Sequence, residues 1–348
     1  MEKKRVYWID IAKSVAILGV VLQHARGWAY STDVIYRSLI FAVGLFVMLG
    51  GYNITNSYIR NKKAGVAKRL LGMILPYIFA TLIYCIYSGE ITDIKAVLMH
   101  LIHFDAMAPL YYVAVYSQLV IITPALLFIL NKCNEGTAAL KALKYSGAWV
   151  LILLVCYLTT NFTGVPGIII GGGNLFAGPW LMFWFAGMCM AMLLTARYKA
   201  DFSERGKKIA TAVFAISMVL LLLWHYFIAL KGMGDGMPAL FNSDQVPLTW
   251  AHAAEVLLIF AWFYSSSALF DDKRMSVLGF LGRHSLYIFM FHVLFLEIYV
   301  SHFFNFLLNR VGRLNTIVFL IFIVACPIVF EAVVKRIADM VNLKITLQ

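Results

Sequence analysis

The sequence predicts an all-α fold, a polytopic bundle of about ten transmembrane helices with both termini in the cytoplasm. Three observations support this: the apolar composition, a series of long apolar stretches and the distribution of basic residues. Hydrophobic residues make up 62% of the 348 residues and charged residues only 13%, with a mean hydropathy of +0.83. A soluble domain of this length cannot bury that much apolar surface, whereas a membrane protein exposes it to lipid.

Ten apolar stretches approach the length of about 20 residues that a helix needs to cross a hydrocarbon core about 30 Å thick. In chain order they are 9–30, 36–54, 70–87, 110–130, 145–160, 179–194, 209–230, 248–269, 285–304 and 315–334. The fifth and sixth are short for a span. Because no soluble segment separates the stretches, we expect one integral membrane domain over residues 1–348.

The net charge of +12 follows the predicted topology. With the N-terminus inside, 22 of the 29 basic residues fall on inner segments and six on outer ones. Lysine and arginine accumulate on the cytoplasmic side of membrane proteins, so the basic excess indicates orientation. It does not indicate a nucleic-acid partner. We expect a multi-pass protein of a cell membrane, in contact with lipid, and no sequence feature predicts its oligomeric state.

Three ionisable residues interrupt the first apolar stretch, "WIDIAKSVAILGVVLQHARGW". They are Asp10, Lys13 and His24, and each costs a few kcal/mol to bury in lipid, so each is a functional candidate. Lys13 and His24 are eleven positions apart, almost three helical turns, which places them on one side of the helix about 16 Å apart. Asp10 lies within roughly 40° of the same line. Structural alternatives are a snorkelling Asp10–Lys13 pair at the inner interface and a hydrogen-bonded structural histidine at position 24.

A second set of polar residues interrupts the aromatic ninth stretch. Ser285 and Tyr287 lie near its start, His292 lies near mid-membrane, and all three are candidates for binding a substrate. His292 is either a second imidazole lining the same cavity as His24 or a partner in a helix–helix hydrogen bond. Glu255, near the outer end of the eighth stretch, is a candidate for binding an external substrate.

The outer segment "SGEITDIKAVLMHLIHFDAMAP" (88–109) has apolar residues at helical spacing. This pattern predicts an amphipathic helix at the outer interface. His100, His103 and Asp105 have a spacing compatible with metal binding, but they share one face and have no fourth ligand nearby. We therefore predict no metal site.

The first-helix pattern W-I-D-x-x-K-x-x-A-I-L-x-V-V-x-x-H resembles the opening helix of the membrane acyltransferase-3 family. These integral membrane O-acyltransferases, bacterial and eukaryotic, modify cell-surface and other carbohydrates. The family pattern has an aspartate, then a basic residue, then a histidine eleven positions after the basic residue. Asp10, Lys13 and His24 occupy these positions here.

Further segments resemble the family over nearly the whole chain. They are "LFVMLGGY" (45–52), "KRLLGMILPY" (68–77), "APLYYVAVYSQLVIITPALL" (108–127), "WLMFWFAGM" (180–188) and "LGRHSLYIFMFHVLFL" (281–296). Three positions depart from the family pattern. Lys13 replaces the usual arginine, which keeps the charge but loses the planar fork of the guanidinium. Gly50 stands where the second-span motif has serine, and Tyr111 stands where tryptophan is usual.

The resemblance implies transfer of an acyl group, commonly acetyl, from acetyl-CoA or another acyl-CoA to a hydroxyl of an extracytoplasmic or lipid-linked carbohydrate. His24 is then the general base, or a nucleophile that carries the acyl group covalently. Asp10 is expected to pair with Lys13 and orient it. Lys13, Tyr111 or Asn53 is expected to donate to the developing oxyanion. No metal cofactor is expected.

Four basic residues are candidates for binding the phosphates of acyl-CoA. Lys68 and Arg69 lie directly before the third stretch, and Lys62 and Lys63 lie a few residues earlier, all on the predicted cytoplasmic side. Cations near the site would form charge-assisted hydrogen bonds with phosphate. The alternative role of all four is to anchor the chain by the positive-inside rule.

Two other function classes compete with the enzyme. A transporter or flippase using the same polar stripe would be expected to show inverted repeats with interrupted helices, and the sequence has no such symmetry. A membrane sensor or scaffold would be expected to carry a soluble effector domain. The sequence therefore favours an acyltransferase, expected in a bacterial plasma membrane, and leaves its acceptor open.

Overall fold

The computed structural model describes residues 6–161, 175–194, 203–231, 250–267, 270 and 276–340. These residues form α-helices and short 3-10 turns, with no strand among them, so the all-α prediction is confirmed for the described part of the chain. The helices are α1 (Tyr7–His24), α2 (Asp33–Ser38), α3 (Phe41–Asn61), α4 (Val66–Ser88), α5 (Ile94–His103), α6 (Tyr111–Cys133), α7 (Ala138–Asn161), α8 (Leu181–Leu193), α9 (Glu204–Lys231), α10 (Trp250–Ser265), α11 (Ser276–Arg283), α12 (Ser285–His302), α13 (Phe304–Val311) and α14 (Leu314–Met340).

Within these residues, seven helical segments are long and apolar enough to cross a membrane. They are Asp33–Asn61, Val66–Ser88, Ala108–Cys133, Ala138–Thr159, Glu204–Phe227, Ser285–His302 and Leu314–Ile337. The other three predicted stretches correspond to α1, α8 and α10, which have 18, 13 and 16 residues. The structure thus supports a multi-pass bundle, while the number ten and the cytoplasmic position of both termini stay predictions.

The helix of the fifth predicted stretch is longer than the sequence indicated. We placed its start at residue 145, but α7 begins at Ala138. Its first two turns include Lys141 and Lys144, which lie before the predicted stretch. Lysine can lie at the end of a membrane helix because its long stem lets the ammonium reach the interface.

The core of the bundle lies around α1 and α3. Helix α1 packs against α3, α10, α11 and α12, and α3 packs most closely against α8, in which ten of the 13 residues are buried. This approach requires glycine: a Cβ added to Gly51 would lie 2.1 Å from the carbonyl oxygen of Trp184, and one added to Gly187 would lie 2.0 Å from that of Met48. Small residues allow helix backbones in membranes to approach closely.

Helices α7 and α9 lie at the periphery. Only 11% of the apolar window in α7 and 6% of that in α9 are buried inside the protein. Large apolar side chains are exposed along both helices, including Leu143, Val150, Ile216 and Leu220. Such surfaces suit contact with lipid tails, so these helices form the lipid-facing side of the bundle.

The predicted amphipathic helix is present as α5 (Ile94–His103). Asp93 caps it by accepting hydrogen bonds from the backbone N–H groups of Lys95 and Ala96 at 2.9 and 3.1 Å. The Tyr77 hydroxyl of α4 shares its proton between the carbonyl oxygens of His100 and Leu101, both at 3.0 Å. These bonds fix α5 against the end of α4.

Candidate functional site

A cavity of about 560 Å³ lies between α1, α3, α4, α6 and the α11–α12 junction. It extends into the bundle from the end where α1 begins, the predicted cytoplasmic end, as far as Tyr112 near the start of α6. The polar side chains on its wall are Asp10, Lys13, Asn53, Ser57, Lys68, Arg69, Tyr112, Tyr116, Arg283 and Ser285. The cavity therefore brings together residues from the first, second, third, fourth and ninth predicted stretches.

The wall of the cavity is cationic. Among the described residues it has four basic side chains, Lys13, Lys68, Arg69 and Arg283, and one carboxylate, that of Asp10. Arg69 is held in place because its Nε donates to the Ala64 carbonyl at 3.3 Å and its Nη2 to the Asn53 carbonyl at 3.4 Å. A concave surface with this charge attracts polyanions.

One side of the cavity is the contact between α1 and α11. A Cβ added to Gly282 would lie 1.8 Å from the carbonyl oxygen of Asp10, so only glycine permits this approach. The Ser14 hydroxyl donates to the same carbonyl at 3.0 Å and also contacts the Leu278 carbonyl. The contact places Arg283, next in sequence after Gly282, on the cavity wall beside Asp10.

Aromatic rings form the innermost part of the cavity wall, at the level of Phe289 on α12. Tyr112 lies between Phe46 and Phe289, with ring centroids 6.4 and 5.2 Å away. Phe289 in turn lies 6.4 Å from the ring of His292, one turn further along α12. These rings separate the cationic cavity from the two histidines described next.

His24 and His292 lie side by side. His24 is the last residue of α1, and its ring centroid is 5.0 Å from that of His292 on α12, with the planes tilted by 59°. Nδ1 of His292 is 2.9 Å from the carbonyl oxygens of Ile288 and Phe289, so it donates to its own helix. Nε2 then carries the lone pair. It is buried, with no hydrogen-bond partner among the described residues.

Four other predicted site residues lie away from the cavity wall. Lys62 and Lys63 are exposed on the connection between α3 and α4, beside the wall residues Ala64 and Gly65. Tyr111 begins α6, and Tyr287 is buried in α12. Neither tyrosine is among the described residues that line the cavity, so the roles assigned to all four stay predictions.

Glu255 is also remote from the cavity wall. It is on α10 with 1% of its side chain exposed, and its Oε2 lies 3.6 Å from Nε2 of His225 on α9. This contact joins two neighbouring helices, and binding of an external substrate by Glu255 stays a prediction.

No group of three or more His, Cys, Asp or Glu side chains in the described part of the chain is arranged to hold a metal ion. His100, one of the three residues considered for such a site, instead bonds two carboxylates: Nδ1 is 2.7 Å from Asp105 and Nε2 is 2.9 Å from Glu90.

Comparison with protein families gives one decisive result. The model of the family described as an acyltransferase domain matches residues 6–333, nearly the whole chain. The chain belongs to the acyltransferase-3 family. Comparisons with curated proteins and with solved structures give no match. The resemblance seen in the sequence is confirmed, and the protein is a multi-pass membrane acyltransferase.

One departure of this acyltransferase from the family pattern has a structural reason. A Cβ added to Gly50 would lie 2.5 Å from a ring atom of Trp184. The Trp184 ring is held by the hydrogen bond that its Nε1 donates to the Thr123 hydroxyl at 3.0 Å. A serine at position 50, usual in the family, therefore does not fit this packing.

Arg283 and a network of ionisable side chains beside it were not among the predicted site residues. Arg283 was counted only as one of the inner basic residues, although it lies within the G-x-x-S motif of the acyltransferase-3 family. The next residue, His284, bonds Glu331 of α14 at 2.6 Å, and Glu331 also pairs with Lys335 at 2.7 Å. The i,i+4 spacing of Glu331 and Lys335 was the one local signal for this network.

Proposed function

We propose that this acyltransferase moves an acyl group, acetyl in the simplest case, from cytoplasmic acyl-CoA to a hydroxyl of an extracytoplasmic or lipid-linked carbohydrate. The observation that carries the proposal is the arrangement along α1. One uninterrupted helix has Asp10 and Lys13 in a cationic cavity near its start and His24 against His292 at its end. About 16 Å of helix separates Lys13 from His24.

The cationic cavity is the proposed donor site. The phosphates of CoA are polyanionic, and Lys68, Arg69 and Arg283 present nitrogen donors on its wall. Charge-assisted hydrogen bonds from such groups are about twice as strong as neutral ones. Lys62 and Lys63 lie on the exposed connection nearby, where they would attract the nucleotide without enclosing it.

Acyl transfer is proposed to occur beside His24. The acceptor oxygen attacks the thioester carbonyl, a C–O bond forms as the C–S bond breaks, and the acceptor proton passes through His24 to the CoA thiolate. Imidazole suits this role because its ordinary pKa is close to neutral pH. Lys13, with Asp10 near it on the same helix face, is proposed to orient the arm of the donor. Reaching His24 requires the thioester to pass the ring of Phe289 or displace it.

Fewer of the predicted residues support a binding site for the acceptor. Ser285 lies on the cavity wall, whereas Tyr287, Tyr111 and Glu255 lie outside it. A bacterial plasma membrane, which holds lipid-linked sugars, is the proposed location.

Radiolabelled acetyl-CoA added to proteoliposomes that contain a bacterial lipid and glycolipid extract tests the proposal. We expect label in the glycolipid with the wild-type protein and a loss of about 10²-fold or more with His24→Ala, the usual size of general-base catalysis. Unchanged transfer by His24→Ala would exclude the base role. If the wild type moved a glycan across the vesicle membrane without acylating it, the transporter alternative would replace the enzyme.

Two further measurements refine the proposal. Mass spectrometry of surface glycans from cells with and without the gene identifies the acceptor. Incubation with labelled acetyl-CoA in the absence of acceptor distinguishes the two roles of His24: label that stays on the protein and is released by hydroxylamine supports a covalent acyl-histidine, and unlabelled protein supports a general base.

A further inference from the structure

Tyr84 of α4 makes an unusual contact with the backbone of α12. Its hydroxyl donates to the carbonyl oxygen of Met290 at 3.0 Å and accepts the backbone N–H of Leu294 at 3.2 Å. These two backbone groups are the ones that an α-helix pairs with each other, N–H of residue i with C=O of residue i−4. The hydroxyl therefore hydrogen-bonds both backbone groups of one i→i−4 pair of α12, the carbonyl of Met290 and the N–H of Leu294.

The bridged turn carries His292. Met290 lies two residues before it and Leu294 two residues after it, so the hydroxyl fixes the turn on both sides of the histidine. The His292 ring is also tied to the preceding turn through Nδ1, at 2.9 Å from two carbonyl oxygens. Nε2 of His292 makes no hydrogen bond to a described residue and is buried, and the His292 ring lies beside the ring of His24.

Tyr84 is itself held rigidly. Only 2% of the residue is exposed, and its ring stacks on Phe291 of α12 with an interplanar angle of 15°. Side chains that insert into a helix ladder are a known cause of local changes in helix geometry. Because the Tyr84 side chain is held in place, its hydroxyl restrains the position of the backbone around His292.

We propose that Tyr84 is a positioning residue for acyl transfer: its hydroxyl fixes the α12 turn that holds His292 against His24. This inference rests on the proposed function, because it gives the His24–His292 pair the catalytic step. Tyr84 acts through the backbone of α12 and does not contact the substrate.

The test compares two tyrosine-to-phenylalanine variants. Tyr84→Phe removes only the bridging hydroxyl. Tyr299→Phe is the matched control, because Tyr299 is a buried tyrosine of α12 whose hydroxyl bonds Asn315 at 2.6 Å, away from the histidine pair. We expect kcat of Tyr84→Phe to fall roughly tenfold with KM for acetyl-CoA within about twofold, since small displacements of a catalytic group reduce the rate strongly. Tyr299→Phe should keep both constants.

Equal kcat values for the two variants would overturn the inference, as would a loss in Tyr84→Phe that appears in KM alone. If the wild type transfers no acyl group, the proposed function fails, and a second readout then decides on Tyr84. That readout is the rate at which diethyl pyrocarbonate modifies His24, measured by mass spectrometry. We expect Tyr84→Phe to raise this rate severalfold and Tyr299→Phe to leave it unchanged, and equal rates in all three proteins would reject the role of Tyr84.

Discussion

Near its start, α1 presents Asp10 and Lys13 to a cavity with four cationic side chains, whereas at its end His24 lies against His292 behind a wall of aromatic rings. The first environment has many charged donors and suits a polyanion. The second has two neighbouring imidazoles, of which His292 is fully buried and His24 is partly exposed, and two adjacent imidazoles suit proton transfer. This difference supports the proposed division of work along α1, with donor binding at one end and acyl transfer at the other.

The largest effect is expected at the histidine pair. His292→Gln replaces the basic imidazole beside His24 with a non-basic amide of similar size, and kcat should fall by about 10²–10³ with KM for acetyl-CoA nearly unchanged. Steady-state kinetics in nanodiscs measures both constants. His302→Gln, an exposed histidine at the end of the same helix, should match the wild type. A rise in KM at constant kcat would instead assign the pair to donor binding.

The next effect concerns the wall of the cavity. Gly282→Ala puts a Cβ against the Asp10 carbonyl and should lower the free energy of unfolding by about 1–3 kcal/mol, the usual cost of overpacking. KM for acetyl-CoA should also rise because the wall shifts. Gly279→Ala, one turn earlier on α11, meets no described atom closer than 3.9 Å and should be neutral or slightly stabilising. Thermal unfolding of both variants checks this, and equal melting temperatures would argue against a tight α1–α11 contact.

Removal of a positive charge from the cavity should have a smaller effect, and it should change KM and leave kcat nearly unchanged. Arg69→Gln is expected to raise KM for acetyl-CoA about tenfold while kcat stays near the wild-type value, since it weakens binding of substrate and transition state alike. Added salt should raise KM of the wild type more than that of the variant. Lys141→Gln, on the lipid-facing helix α7, is the control. A kcat loss in Arg69→Gln comparable to that of His292→Gln would contradict the proposed separation of donor binding from acyl transfer.

The smallest effect lies outside both regions, in the cluster that holds α5. The hydrogen bond with Asp105 raises the pKa of His100, and the bond with Glu90 raises it further. Because the folded pKa is above the ordinary value of about 6.5, the contribution to stability is complete below that pH and is lost as pH rises through the folded pKa. It should stay below about 1 kcal/mol because the carboxylates are exposed. The melting-temperature difference between wild type and His100→Gln should therefore shrink from pH 5.5 to pH 8.5, without a change in kcat.

Features that depend on one helix were predictable from the sequence. Asp10, Lys13 and His24 share a face because a helix has 3.6 residues per turn, and α1 is indeed unbroken from Tyr7 to His24. The amphipathic helix α5 followed from the same periodicity. The G-x-x-S motif near the C-terminus predicted a segment that lines the cavity, and its serine, Ser285, is on the cavity wall.

Contacts between distant helices were not predictable, because no local pattern encodes them. Tyr84 lies 206 residues before the carbonyl that it bonds, and nothing near it in sequence distinguishes it from a lipid-facing tyrosine. Arg283 looked like one more inner basic residue until the Gly282 approach placed it beside Asp10. The span count is uncertain for a related reason: α8 and α10 are short helices largely buried by their neighbours, so hydropathy alone does not decide whether each crosses the membrane.

Separate measurement of donor binding and transfer tests the division along α1 most directly. Titration calorimetry with CoA, on His24→Ala and Arg69→Gln in nanodiscs, gives binding without chemistry, and the radiolabel assay gives transfer. We expect His24→Ala to bind CoA within about twofold of the wild type while its transfer rate falls about 10²-fold or more, and Arg69→Gln to bind CoA about tenfold more weakly. Loss of CoA binding in His24→Ala, or unchanged binding in Arg69→Gln, would contradict it.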